Sequence, residues 1–180
     1  MYKFFNRFVF LFCFLFSALL FNQAYSKSYF DFSYSFQNDA QTKAEMSMYY
    51  TALASSDTNK INGVLQRLEP YTSVVNKAYA GALIMKKSGL LKAPKEKLKQ
   101  FKQGKILLEE AIANDKTNAG YRFLRLVIQE NCPAILNYKE HIKEDAETVK
   151  KIYMQFPEIA KNAVIDYAKN SSALKSAGVK

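Results

Sequence analysis

Residues 98–112, Leu98-Lys99-Gln100-Phe101-Lys102-Gln103-Gly104-Lys105-Ile106-Leu107-Leu108-Glu109-Glu110-Ala111-Ile112, decide the fold of this chain. Leu98, Phe101, Gly104, Leu108, Ala111 and Ile112 recur at three- and four-residue spacing and fall on one arc of a helical wheel. Lys95, Lys99 and Lys102 stand opposite, together with Ile106. Pro94 suits the first helical position, and Asp115-Lys116-Thr117-Asn118 makes a turn at the other end. A long amphipathic helix must bury its arc against another element. The flanking sequence supplies only more helices.

Upstream, Thr72 or Ser73 is placed to cap a helix whose Val74, Val75, Ala78, Tyr79, Ala82 and Met85 share one half of the wheel, with Asn76, Lys77 and Lys87 on the other. Its small residues Ala78, Gly81 and Ala82 allow a neighbour close approach, and Ser88-Gly89 is expected to stop it. Residues 39–54 lack Gly and Pro and carry Ala44, Met48, Tyr49, Ala52 and Leu53 at helical spacing. A short helix through Ile61, Val64, Leu65 and Leu68 follows, stopped by Pro70. Downstream, Asn118 caps a fifth helix to about Asn131, and Tyr121, Phe123, Leu124, Leu126, Val127 and Ile128 cover nearly its whole circumference, which predicts a central position. Pro133 ends it. Ile142, Ala146, Val149, Ile152, Tyr153 and Phe156 form a narrow stripe, in one helix or two shorter ones that begin at Tyr138 or Asp145. After Pro157 a last helix turns Ile159, Ala160, Ala163, Val164 and Tyr167 inward. Residues 170–180 read as a fraying tail. The expected fold class is therefore all-α, with six to seven helices in antiparallel hairpins and one domain over residues 38–169.

The N-terminus predicts where the protein works. Lys3 and Arg7 precede an apolar run over residues 8–21, and Gln23-Ala24-Tyr25-Ser26 closes it with small residues at the third and last positions before the cut. This is the layout of a secretory signal peptide, residues 1–26, cleaved after Ser26. The run is shorter than the roughly 20 apolar residues a spanning helix needs. Cys13 follows Phe12 in mid-run, unlike a lipoprotein cysteine, which closes the run behind a small residue. Phe30, Phe32, Tyr34 and Phe36 then alternate with other residues at strand period; with no second strand to pair against, residues 27–37 read as an extended aromatic arm. The expected location is periplasmic or extracellular.

Gly104, Leu108 and Ala111 stand where the second helix of a tetratricopeptide (TPR) repeat carries small, large and small residues, and residues 111–118 look like the end of that helix and the turn into the next repeat. Lys116 replaces the usual proline, and the helix after the turn lacks the Trp-Leu-Gly-Tyr spacing. The chain thus resembles TPR proteins, which implies a right-handed helical array. Tyr79-Ala80-Gly81-Ala82, Leu108-Glu109-Glu110-Ala111-Ile112, Arg122-Phe123-Leu124-Arg125-Leu126 and Ile142-Lys143-Glu144-Asp145 make it similar to a family of small exported bacterial helical proteins of uncharacterised function. That likeness implies a fold and no catalytic residues.

Loss of the leader leaves 154 of the 180 residues, enough for one cored domain, and takes the formal charge from +10 to +8 with the departure of Lys3 and Arg7. A basic exported protein suits anionic partners. Cys132 is then alone, which excludes an internal disulfide, and it reads as a buried, inert thiol. His141 is the single histidine, which is read as excluding multi-histidine metal sites and Cys–His pairs of normal design within one chain. Glu140, Glu144 and Glu147 share a face, but Lys151 follows Glu147 at i,i+4 and they read as a solvated surface. No cofactor, metal or enzymatic role is expected, and no nucleic-acid binding.

Two constellations remain. Lys86, Lys87, Lys92, Lys95, Lys97, Lys99, Lys102 and Lys105 concentrate charge with Glu96 as the lone acid among them, and Lys95, Lys99 and Lys102 are the candidates for docking on an anionic surface. Arg122, Arg125 and Gln129 form a polar strip on the apolar fifth helix, either pairing with buried carboxylates or lining a partner-binding groove. The expected function is a non-enzymatic protein-interaction or assembly module of the cell envelope, whose partner is another envelope protein. The alternative is an electrostatic binder of lipid headgroups or acidic polysaccharide. Oligomeric state is not legible.

Overall fold

In the computed structural model the described residues are 40–179, with side chains from residue 43; the expected leader and aromatic arm lie outside them. Eight α-helices follow in chain order among these residues: α1 Ala40–Ala54, α2 Thr58–Leu68, α3 Val74–Leu90, α4 Pro94–Asn114, α5 Ala119–Asn131, α6 Ile142–Ile152, α7 Glu158–Ala168 and α8 Ser172–Ala177. Single 3-10 turns occupy Ala134–Leu136 and Tyr153–Gln155, and no strand occurs among the described residues. The fold is all-α, with one helix more than the upper end of the expected count.

Local chemistry sets the helix starts. Asp57, Ser73 and Asn118 each accept a hydrogen bond from a backbone N–H of the first turn, of Asn59 at 2.8 Å, Asn76 at 3.0 Å and Tyr121 at 3.1 Å, and Pro94 opens α4. Ser88-Gly89 does not stop α3, which runs on to Leu90. A glycine ends a helix when its backbone turns left-handed; Gly89 stays helical, and the Ser88 hydroxyl donates to the Met85 carbonyl at 2.7 Å within the same helix.

The α3–α4 pair is the backbone of the fold. Lys77 meets Glu110, Gly81 meets Gly104 and Leu108, Met85 meets Gly104, and Lys97 reaches the Gly89 carbonyl. The partner numbers fall as the α3 numbers rise, so the two helices form an antiparallel hairpin. A Cβ at Gly81 would lie 2.7 Å from the Gly104 oxygen, and one at Gly104 would lie 2.5 Å from the Gly81 oxygen, so the backbones touch where both side chains are missing. Around this crossing Phe101, Leu108, Ala111 and Ile112 are buried as their phase predicts, whereas Leu98 remains 44 % exposed.

Helix α5 is central, with every residue from Tyr121 to Gln129 buried except Arg122. It pairs with α6 through Arg125–Asp145 at one level and Gln129–His141 at another, again antiparallel. Tyr138 lies ahead of α6, after Asn137 reverses the chain at φ 45°. In α1 the buried face is rotated from the expected one: Met46 and Tyr50 are buried beside Tyr49, Ala52 and Leu53, whereas Ala44 is exposed. Tyr50 packs edge-on to Tyr79 and against Phe123, which draws that face inward.

The expected fraying tail is corrected. Ser171 caps α8, Leu174 is fully buried, and Gly178 ends the helix at φ 84°. The Glu130 carboxylate accepts from the Ser171 hydroxyl at 2.6 Å, the Ser172 hydroxyl at 3.3 Å and the Ala173 N–H at 3.0 Å, an anion on a helix N-terminus. Lys150 donates to the Gly178 carbonyl at the other end.

Candidate functional site

The polar strip of α5 builds a closed network. Arg125 holds Asp145 with a fork, Nε to Oδ2 at 2.7 Å and Nη2 to Oδ1 at 2.8 Å, and its Nη1 donates to Glu109 Oε2 at 3.0 Å. The other Glu109 oxygen accepts from the Tyr138 hydroxyl at 2.5 Å. Arg122 donates to Asp145 at 2.9 Å, to Glu144 at 2.6 Å and twice to the Lys116 carbonyl. Burial by itself lowers the Arg125 pKa, but the bonds to Asp145 and the charges of Asp145 and Glu109 outweigh it and the net shift is upward. Burial, followed by the Glu109 bond, pushes the Tyr138 phenol far up, so it stays neutral and donates. Arg122 and His141 draw the exposed Glu144 carboxyl below its ordinary range.

These residues are thus brought together, but not around a groove. Arg125 and Gln129 are 3 % and 0 % exposed, and each guanidinium nitrogen of both arginines donates to a group of the protein itself. The Gln129 carbonyl accepts from the His141 N–H at 3.2 Å, while its Nε2 is the one fully buried side-chain polar atom without a partner among the described residues. Of the two roles open to Arg122, Arg125 and Gln129, pairing with carboxylates is the one seen for the two arginines, because a buried cation on a central helix needs carboxylates at hand and α4 and α6 supply them.

The open surface lies elsewhere. A cavity of 1140 Å³ opens between α1, α3, α4, α5 and α7, just above the ~300–1000 Å³ typical of ligand pockets. Its floor is buried and aromatic or aliphatic: Tyr50, Phe101, Phe123, Val127 and Ile128. Its rim carries Leu90, Leu98 and Ile135, exposed at 38 %, 44 % and 91 %. Ile159, Ala163 and Tyr167 of α7 were phased for the core and instead form a half-exposed wall. Burial raises the Tyr50 phenol to about 12, and its hydroxyl meets that of Tyr79 at 3.3 Å.

The lysines fall into two groups. Lys95, Lys99 and Lys102 are exposed, with no ion pair among the described residues. Lys86 and Lys97 line the cavity; Lys97 reaches the Gly89 carbonyl at 3.4 Å, and Lys86 is half-buried with no ion pair. Lys105 is drawn the other way, 4.5 Å above the Tyr138 ring. Cys132 also borders the cavity, but burial raises its pKa and its thiol lies 3.3 Å from the Tyr138 carbonyl, an environment that keeps it protonated. Glu140 precedes α6, apart from Glu144 and Glu147 within it, and no cluster of three metal-ligating side chains occurs among the described residues. No helix among them is long and apolar enough to cross a membrane. Comparison of the chain with family models, curated proteins and solved structures finds no match.

Proposed function

We propose that this chain is an exported, non-enzymatic binding module of the cell envelope, a TPR-like array whose working surface is the apolar cavity between α1, α3, α4, α5 and α7. One observation carries the reading: five helices turn large apolar side chains into a space that no described residue fills, and Leu90, Leu98 and Ile135 stand exposed at its edge. A contiguous apolar surface of that kind, rimmed by polar residues, marks an interaction or ligand-binding site. The TPR-like part of the reading is supported by α3 and α4, which pair as an antiparallel hairpin with Gly104, Leu108 and Ala111 on the buried side.

The second reading keeps the anionic surface as partner, favoured by Lys95, Lys99 and Lys102, which are exposed and without carboxylate partners among the described residues. Both readings meet in one experiment. Ala54 and Ala163 border the cavity without being buried, so Ala54→Phe with Ala163→Phe partly fills it without replacing a buried side chain. Retention of envelope components is compared between the parent protein, this variant and Lys95→Gln/Lys99→Gln/Lys102→Gln at low and high salt. Loss in the filled variant alone supports the cavity; salt-sensitive loss in the lysine variant alone supports the electrostatic reading; retention by both variants refutes both.

A further inference from the structure

We propose that the cavity takes a free single-chain anionic amphiphile, with its methylene chain along the aromatic floor and its acidic headgroup beside Lys86 and Lys97. The proposal rests on the cavity being the working surface and names what occupies it. Three observations lead to it. First, Leu98, Ile159, Ala163 and Tyr167 belong to arcs phased for burial, yet all four stay partly open, and all four line this one space. Four residues from two helices, phased for burial yet open to the same space, are the pattern left by a surface buried only when loaded.

Second, the charges bordering the cavity are unbalanced. They are Lys86, Lys97 and Asp166, and Asp166 is already neutralised by Lys169 at 2.6 Å. Lys86 and Lys97 sit on the two arms of the α3–α4 hairpin close to its connection, as the bond from Lys97 to Gly89 requires. Lys87 and Lys92 add positive charge nearby without ion pairs among the described residues. The same end holds the start of α4, where Ala93 provides no side-chain cap and Pro94 borders the cavity; the helix dipole there is opposed by one carboxylate, Glu96, against the four lysines.

Third, the floor is poor in groups that satisfy a peptide. A polypeptide brings N–H and C=O groups that need partners when buried, whereas a methylene chain brings none. The buried polar-tipped side chains that border the cavity, Tyr50, Ser88 and Cys132, are already engaged with Tyr79, with the Met85 carbonyl and with the Tyr138 carbonyl, and the neutral Ser, Thr and Asn side chains of the lining are exposed at its open edge rather than on the floor. An apolar tail with one acidic end fits both the walls and the charge.

The test uses the purified protein, stripped of bound lipid, with a fluorescent apolar reporter displaced by saturated fatty acids of increasing length below their micelle concentrations. Affinity is expected to rise about fourfold per methylene until the cavity is full. A carboxylate should bind about three- to tenfold more tightly than the alcohol of equal length, and Lys86→Gln/Lys97→Gln should erase that difference while keeping the length dependence. The Ala54→Phe/Ala163→Phe variant should bind every chain more weakly and stop gaining affinity at a shorter length. Equal binding of acid and alcohol overturns the headgroup assignment. Binding to anionic vesicles without displacement by monomeric fatty acid overturns the free-ligand proposal in favour of a membrane surface. If no fatty acid binds but the filled variant loses an envelope protein, the occupant is a protein segment and the proposal fails while the cavity reading stands; if filling changes nothing at all, that reading fails with it.

Discussion

Alanine in place of glycine should change stability in opposite directions at two pairs of sites in this protein. On helix propensity alone, each Gly→Ala change within a helix is favourable by about 0.8–1 kcal/mol. At Gly63 in α2, a Cβ meets nothing within 4 Å, so Gly63→Ala should raise stability by nearly that amount, and Gly89→Ala near the end of α3 by somewhat less. At Gly104 the new methyl would lie 2.5 Å from the Gly81 oxygen, 2.8 Å from Met85 Cγ and 2.9 Å from the Met85 nitrogen. Met85 Cγ can swing aside, but the backbone atoms cannot, so α3 and α4 must separate along the crossing that also seats Leu108. Overpacking of this kind costs about 1–3 kcal/mol, which set against the propensity gain leaves a net loss of up to about 2 kcal/mol. Gly81→Ala should behave alike, with its Cβ 2.7 Å from two backbone atoms of α4. The double variant should cost less than the sum, since one separation of the helices accommodates both methyls. Chemical denaturation followed by far-ultraviolet circular dichroism gives the midpoints. A Gly104→Ala midpoint that rises with that of Gly63→Ala would refute the close crossing.

Leu108→Ala should cost about 2–5 kcal/mol, because Leu108 is fully buried on the α4 face that meets Gly81; an unchanged denaturation midpoint would mean α4 is wrongly phased. Asp145→Asn removes the counter-charge of two arginines and should cost about 3–5 kcal/mol, whereas Glu144→Gln, exposed on the same helix, should stay within about 1 kcal/mol in the same assay. Stability should fall above pH 10: burial holds Tyr50 at about 12 and Tyr79 well above its ordinary value, so the unfolded state releases these protons first. The contribution is complete below pH 10 and lost as pH rises toward the folded values, at about 1.4 kcal/mol per tyrosine by pH 11, and unfolding curves at pH 8 and 11 measure it.

Most of the helices were legible because their signals are local. Asn118 and Pro94 mark the starts of α5 and α4 by side-chain and ring chemistry that acts within one turn. The central place of α5 followed from an apolar surface too wide for one neighbour. Where the reading missed, the deciding partner was distant in sequence. Six residues of α8 are too few for a periodic signal, and its order depends on Glu130, more than forty positions away. Helix α1 carries apolar residues on more than one side, and only the ring contacts of Tyr50 with Tyr79 and Phe123 select the buried one. Gly89 has the composition of a stop but not its conformation, which depends on how the chain continues into α4.

The candidate site divides in the same way. Two arginines and a glutamine on an apolar helix announce that carboxylates or a partner must meet them, and the sequence leaves that choice open because Glu109 and Asp145 sit on other helices. Once α4 and α6 bring those carboxylates within 3.0 Å of Arg125, its desolvated charge is satisfied internally, each of its three nitrogens donating to one of them. The cavity, by contrast, leaves almost no trace in any one segment. Leu98, Ile159 and Tyr167 look like core residues in their own helices, and the open space arises only because no other described residue covers them together. A core position and a binding position obey the same periodicity; what separates them is whether the protein's own chain supplies the cover. That is why the lysines were visible as a charge cluster while the apolar surface beside two of them was not, and why Lys86 and Lys97, rather than the more exposed Lys95, Lys99 and Lys102, stand where charge and apolar area meet.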